Sequence, residues 1–331
     1  MQLLQFKALA DSTRLRLLHL LSSHEFSVNE LVRILTMGQS RISRHLKILT
    51  EAGLLRYRRD GLWIFYSVPS EGTEHDFLSA IAPYIQSTDE MKRDEKEALA
   101  VLEERYERSR EFFDSIAENW DDVNQEILGD FNLPEAICQE MPPKCATAAD
   151  LGCGTGTVLA MMAGLCEQSI GIDNSHRMLE ICSRRFKTAD TGKKQVSLRI
   201  GDLSHLPVRD QELDFACINL VLHHISDPEA VLHEIRRALK SGGTLVLSDF
   251  LQHSDETMRI RYGDLRLGFS PEELETWLAR AGFRIEKKQA HPVHRDLTLL
   301  LISATACSKP SKHPPGTRNS HGKRTGFTPP V

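Results

Sequence analysis

The sequence predicts two folded units in series: a mainly α unit carrying one β-hairpin, then an α/β unit on an open, mostly parallel seven-stranded sheet with an antiparallel last strand. Three observations point there. At 331 residues the chain exceeds what one ordinary hydrophobic core absorbs. Apolar residues recur at helical spacing up to Leu49, whereas beyond residue 146 short apolar runs alternate with helical ones. The net charge of −5 is unevenly split: through Val68 ten Lys/Arg face five Asp/Glu, leaving +5 there and −10 in the remainder. A basic module on an acidic body expects a polyanion at one end only.

In the first unit, Leu9, Leu15, Leu17, Leu18 and Leu21 mark two helices, with Asp11-Ser12-Thr13 between them as a cap for the second. Ser27 opens SVNELVRIL with Glu30 three residues on, the spacing of a capping box. Thr36-Met37-Gly38 then turns the chain into QSRISRHLKILTEAG, where Ile42, Leu46 and Leu49 share one face and Ser40, Ser43, Arg44 and Lys47 lie off it. Two helices joined by a three-residue turn, the second basic outside, form a helix-turn-helix that reads the major groove. LLRYRRDGLWIFYSV follows, with β-rich runs on either side of Asp60-Gly61, a type I′ hairpin signal that makes a wing. The candidate DNA contacts are Gln39, Ser40, Arg41, Ser43, Arg44, His45 and Lys47 on the helix, with Arg58 and Arg59 on the wing.

LADSTRLRLLHLL, SRISRHLKILTEAGLL and RRDGLWIFYSV resemble the ArsR family of winged-helix repressors over residues 1–85. The resemblance implies a homodimer on a palindromic operator in double-stranded DNA, with the helix of HDFLSAIAPYI (75–85) as an interface candidate. Many relatives sense metal through Cys-x-Cys before the motif; here the stretch reads HEFSVNEL, so no metal site of that type is expected.

Residues 86–122 are dense in charge, with Leu99, Leu102, Tyr106, Phe113 and Trp120 near helical turns. They predict a solvated connector helix with a thin apolar stripe, its aromatic end FFDSIAENW entering the next domain as a lid segment.

The second domain is expected over 123–306, with strands near 147–151, 168–173, 195–200, 213–220 and 243–249. FRIEKKQA and DLTLLLISATA close it as a hairpin. Ligands bind such sheets at the carboxyl ends of strands. Asp150-Leu-Gly-Cys-Gly-Thr-Gly156 leaves the first strand for a helix, its Gly152, Gly154 and Gly156 admitting close backbone approach. The Gly-x-Gly-x-Gly spacing departs from the dinucleotide fingerprint, and Asp150 suits a cationic methionine moiety where it would repel a pyrophosphate. Asp173, with Asn174 beside it, ends the second strand where a carboxylate accepts both ribose hydroxyls. Asp202 follows the third strand and suits an adenine amino group, with Leu203 and Met178 covering the ring.

DLGCGTG, GID, GDLSHLP and LKSGGTLVLSDF resemble the ordered motifs of class I S-adenosylmethionine-dependent methyltransferases, a Rossmann-like methyltransferase fold. That resemblance adds Asn219 to the cofactor shell and names S-adenosylmethionine and S-adenosylhomocysteine as ligands. The fusion is similar to S-adenosylhomocysteine-responsive regulators. His223 and His224, just past the fourth strand, are the candidate general bases for a small-molecule methyl acceptor. INLVLHH lacks the Pro-Pro signature for base amino groups, no Pro-Cys nucleophile is present, and the cysteines lack convergent spacing for arsenite.

Two functions are therefore expected as alternatives: a DNA-binding regulator, a repressor by family resemblance, whose second domain senses its ligand, or a small-molecule methyltransferase autoregulated by its helix-turn-helix. The absence of a long apolar run and of a cleavable leader, with an odd number of cysteines, predicts a cytoplasmic protein without a membrane partner. The Pro/Gly-rich basic tail, 307–331, is expected to be disordered.

Overall fold

In the computed structural model, which describes residues 2–188 and 195–308, α1 (Gln2–Leu9) and α2 (Ser12–Leu21) lead into a short strand β1 (Phe26–Ser27), α3 (Val28–Leu35) and α4 (Gln39–Glu51). Local chemistry sets these boundaries. Asp11 caps α2 by accepting the Arg14 amide at 3.1 Å. Ser27 and Glu30 form the expected capping box on α3, the Ser27 amide donating to the Glu30 carboxylate at 2.8 Å. Ile42, Leu46 and Leu49 are fully buried beneath α4, beside Leu17, Leu31 and Phe26.

Strands β2 (Arg56–Asp60) and β3 (Trp63–Ser67) make the wing, with β1 pairing on the outer side of β3. The turn differs from expectation. Asp60 pairs with Trp63, so the central residues are Gly61 and Leu62, and of these Gly61 alone has a left-handed φ, 58°. That is the demand of a II′ turn, glycine first, rather than the I′ turn predicted from Asp-Gly.

Helix α5 (Thr73–Ile81) precedes the 28-residue α6 (Asp89–Ile116). The connector is not a solvated spacer. Ala98 and Val101 join the winged-helix core. Arg16 donates two hydrogen bonds to buried Asp94 at 2.6 and 2.7 Å, and Arg105 reaches Glu30 at 2.7 Å. A charge-rich helix thus packs firmly because its Asp94 meets an arginine of α2 and its Arg105 an acid of α3, a match invisible to a periodicity count.

The second domain follows with α7 (Trp120–Leu128), α8 (Leu133–Cys138), β4 (Thr147–Leu151), α9 (Thr157–Met162), β5 (Gln168–Asp173), α10 (His176–Thr188), β6 (Gln195–Ile200) and β7 (Leu213–Asn219). It ends with α11 (Pro228–Ala238), β8 (Leu239–Phe250), α12 (Glu256–Tyr262), α13 (Pro271–Arg280), β9 (Phe283–Pro292) and β10 (Thr298–Ala306). The seven strands lie in the order β6-β5-β4-β7-β8-β10-β9, and only β10 runs against its neighbours. β4 pairs with β5 on one side and β7 on the other, which opens a crevice at their carboxyl ends. Ala149, Leu151, Ile170, Ile172, Ala216 and Ile218 are fully buried, as parallel strands covered on both faces must be. Among the described residues no helix is long and apolar enough to cross a membrane. The tail from residue 309 lies outside the described residues.

The two units are joined at the wing tip. Asp60 is only 4% exposed; it accepts from Arg259 of α12 at 2.7 Å and from the Leu267 amide at 3.0 Å. The Leu62 amide donates to Glu256 at 2.7 Å.

Candidate cofactor cleft and nucleic-acid interface

At the switch point the chain turns sharply after β4. Gly152, Gly154 and Gly156 have φ of 73°, 50° and 82°, and a Cβ on Gly152 would sit 2.5 Å from a Val221 methyl. Asp150, Gly152, Gly154, Asp173, Asn174, Met178, Asp202, Leu203 and Asn219 all line one cavity of about 1120 Å³. Gly156 does not. It caps α9 and faces α10, where a Cβ would meet the Cys182 sulfur at 2.3 Å, so its role is close helix packing.

Both inner carboxylates are buried. Burial, with Asp173 nearby, pushes Asp150 up to about 7, although the Cys217 thiol donates to it at 3.4 Å. Burial also raises Asp173, which accepts the Gly154 and Ser175 amides at 2.8 and 2.9 Å. The Asn219 Nδ2 is buried without a hydrogen bond. Asp202 is exposed and accepts from the amide and hydroxyl of Ser204, both at 2.7 Å. The end of α6 and the start of α7 form the outer wall through Phe113 and Trp120. This wall is tied down by Asp121, which takes the Thr155 hydroxyl and Arg185 at 2.5 Å each.

On the opposite unit, Gln39, Ser40, Arg41, Ser43, Arg44 and Lys47 are exposed along α4, and Arg59 is exposed on the wing. Two expected contacts point elsewhere. His45 has a side chain only 11% exposed, 3.8 Å from Asp11 and depressed by burial, so it faces α2. Arg58 is held by Glu25 at 2.9 Å and by Asp60, because its strand position turns it toward the domain junction while Arg59 faces out.

Residues 11–57 match the bacterial regulatory protein arsR family, and residues 149–247 match a methyltransferase domain. The chain joins an ArsR-type DNA-binding domain to a methyltransferase domain. An uncharacterized 37.1 kDa protein in transposon TN4556 of Streptomyces fradiae is 37% identical over 124 residues, covering 37% of this chain and 34% of that one. A demethylmenaquinone methyltransferase of Lactobacillus johnsonii is 30% identical over 156 residues, covering 45% of this chain and 64% of that enzyme. The chain thus spans between a third and just under two thirds of these relatives. Among solved structures, a methyltransferase bound to the Haloferax volcanii Trm112 methyltransferase activator aligns with a TM-score of 0.50 at 22% identity, covering 59% of this chain and 98% of that one. That likeness concerns the fold.

A methyltransferase domain takes S-adenosylmethionine as donor and gives S-adenosylhomocysteine. The cleft suits that pair: buried carboxylates for hydroxyl and cationic groups, an Asn219 whose Oδ1 is held by Ser248 while its Nδ2 makes no hydrogen bond, and a glycine turn that leaves backbone within reach.

The two histidines separate. His224 lines the cleft; burial and His223 lower its pKa well below the ordinary value, and its Nδ1 faces the Gly263 carbonyl at 3.2 Å. A neutral ring so placed carries its proton on Nδ1 and leaves Nε2 as a base. His223 is 3% exposed and absent from the cleft lining, with Nδ1 2.7 Å from Asp249. Burial alone would lower it, but Asp249 and Asp264 raise it to about 9. His223 is therefore a buried charge holding β8 and the 263–266 loop, not a group facing an acceptor. Its stabilisation is complete below its ordinary value of 6.5, where folded and unfolded chains both hold the proton, and is lost as pH rises through about 9. Thermal stability is expected to fall across that window, and a scan of the His223→Gln protein should be flatter; an equally steep decline in the variant would contradict the assignment.

Sequence reasoning missed Val221 against the glycine turn, His24 at the rim of the cleft, and the Asp60–Arg259 contact. Asp249 alone had a usable signal, a carboxylate at the end of a strand.

Proposed function

We propose that the protein is a homodimeric, cytoplasmic transcriptional regulator whose operator affinity responds to S-adenosylmethionine and S-adenosylhomocysteine bound by Asp150, Asp173, Asp202 and Asn219. The observation that carries this reading is the burial of wing-tip Asp60 against Arg259 and Leu267 of the methyltransferase domain. From the cleft, His224 adjoins His223, whose carbonyl accepts the Leu265 and Arg266 amides at 3.1 and 3.0 Å; the next amide, Leu267, holds Asp60. A shift at the cleft rim thus reaches the wing through consecutive hydrogen-bonded residues. Donor and product differ by one methyl and one positive charge, a difference that the buried Asp150 carboxyl in the cleft is suited to sense. Coupling of ~1–3 kcal/mol changes operator affinity about 5–150-fold.

Dimerisation is supported by α1 and α5. Leu3, Leu4 and Phe6 are 68, 50 and 57% exposed, Phe6 stacks edge-on against Phe77 of α5, and α5 buries none of its residues. A continuous apolar face of this kind favours a twofold partner.

Calorimetry with both ligands, followed by mobility shifts on DNA upstream of the protein's own gene, tests the reading. Operator affinity that is the same with donor, product or no ligand would refute it. Asp60→Asn, which weakens the Arg259 contact, is expected to keep ligand binding and lose the ligand's effect on DNA; full coupling in that variant would remove the wing tip from the path. On the wing itself, Arg59→Ala is expected to flatten the salt dependence by about one unit, whereas Arg58→Ala leaves the slope unchanged. Identical slopes would reverse that distinction.

The alternative, turnover of a small acceptor, is favoured by one feature: neutral His224 lines the cleft with its Nδ1 against the Gly263 carbonyl, which leaves Nε2 as a general base. Positioning by the cleft walls would do most of the remaining work. Methyl transfer lost in His224→Ala and kept in His223→Gln would support it.

A further inference from the structure

The apolar stripe of α6 is turned into the cleft. Leu99, Leu102, Tyr106 and Phe113 recur at helical spacing, and all four line its wall. Leu99 remains 62% exposed. Phe113 meets His224 edge-on, ring centroids 4.7 Å apart, so the stripe leads from that histidine out to solvent. Between Leu99 and Phe113 the helix rises about 21 Å, at ~1.5 Å per residue. Leu128, Phe131 and Leu133 add further apolar wall. The cleft, at about 1120 Å³, exceeds the ~300–1,000 Å³ of pockets that enclose one small ligand.

Charge selects the guest. Seven carboxylates and one arginine line the cleft, and that arginine, Arg185, is held by Asp121 at 2.5 Å. Beyond the adenosyl shell, Glu103 of α6, Asp130 between α7 and α8, and Asp227 at the start of α11 are exposed on this wall. No ion pair joins any of the three to a cation among the described residues. The two lining histidines add no charge, since burial lowers both His24 and His224. A concave surface of one sign concentrates ligands of the other.

We propose that the stretch of cleft along α6 binds an apolar organic cation, an amine on an extended hydrocarbon or aryl frame, beside the adenosyl ligand. The frame lies against Leu99, Tyr106 and Phe113, and the ammonium is drawn by Glu103, Asp130 and Asp227. A neutral molecule of the same frame loses that attraction, and an anion meets repulsion. Ala98 and Val101 of the same helix belong to the winged-helix core, so such a guest touches both units. The inference rests on the preceding reading only for what fills the strand-end part of the cleft.

The test is calorimetry of 4-phenylbutylamine, 4-phenylbutanol and 4-phenylbutanoate with the full chain, in the presence of saturating S-adenosylhomocysteine. The three probes share a frame and differ in charge. The amine is expected to bind, the alcohol about tenfold weaker and the carboxylate weaker still. Added salt is expected to weaken the amine and spare the alcohol. Glu103→Lys, a change at an exposed position, is expected to weaken the amine at least about tenfold and to tighten the carboxylate. Tyr106→Ala is expected to weaken all three about fivefold, with thermal melting as the control for folding. No amine binding at millimolar concentration, equal binding of the three probes, or a Glu103→Lys protein that keeps the original order would overturn the proposal. A chain that does not take up S-adenosylhomocysteine fails the preceding reading; one that takes it up and ignores the amine fails this one.

Discussion

Replacement of both Arg44 and Lys47 by alanine is expected to lower operator affinity by at least about a hundredfold near physiological salt, the largest effect of any surface change in the chain. Both side chains are exposed on α4, on the opposite side from the fully buried Ile42, Leu46 and Leu49. Each phosphate contact contributes ~0.9 to the slope of log affinity against log salt, so four cations removed from a dimer flatten it by roughly three to four units. Exposed positions away from the core change stability by only about half a kcal/mol, so the folded state is retained. Mobility shifts from low to moderate salt, alongside thermal melting, check this. Unchanged affinity in a normally melting variant would mean that α4 does not enter the groove.

Asp173→Ala is expected to reduce S-adenosylhomocysteine affinity more than about a hundredfold, whereas Asp202→Ala costs about tenfold or less. The asymmetry follows from surroundings. Asp173 is 9% exposed and fixes the glycine turn by accepting the Gly154 and Ser175 amides, so its loss leaves buried donors unsatisfied as well as removing ligand contacts. Hydrogen bonds to charged groups are worth ~1.5–3 kcal/mol, and unsatisfied buried donors add to that. Asp202 is exposed and already occupied by Ser204, so water replaces much of what is lost. Calorimetry on the two variants checks the order. Equal losses would place the dominant contact outside the glycine turn.

Much of this was legible in the residues. Caps at Asp11 and Ser27, the buried face of α4 and strands β4 to β7 follow from local patterns, because a cap, a helical stripe and a parallel strand are each written within a few neighbouring positions. The candidate residues Asp150, Asp173 and Asn219 were legible for the same reason, since each sits where a strand ends. The failures share another cause. His45 and Arg58 carry the charge expected of DNA contacts, yet each turns toward an acid brought from elsewhere, Asp11 or Glu25. His223 and His224 are adjacent in sequence but face different surroundings, one clamped between Asp249 and Asp264, the other open to the cleft.

By itself, then, the sequence determined two domain types, the helix with an exposed basic face and the ordered carboxylates of the cleft. Only the tertiary structure decided which charges are free to act. It brought Asp60 to Arg259, 199 positions away, made α6 part of the winged-helix core, and turned the apolar stripe of that helix into the cleft. The reason is physical: a charge acts through its partners and its solvation, and long-range folding sets both.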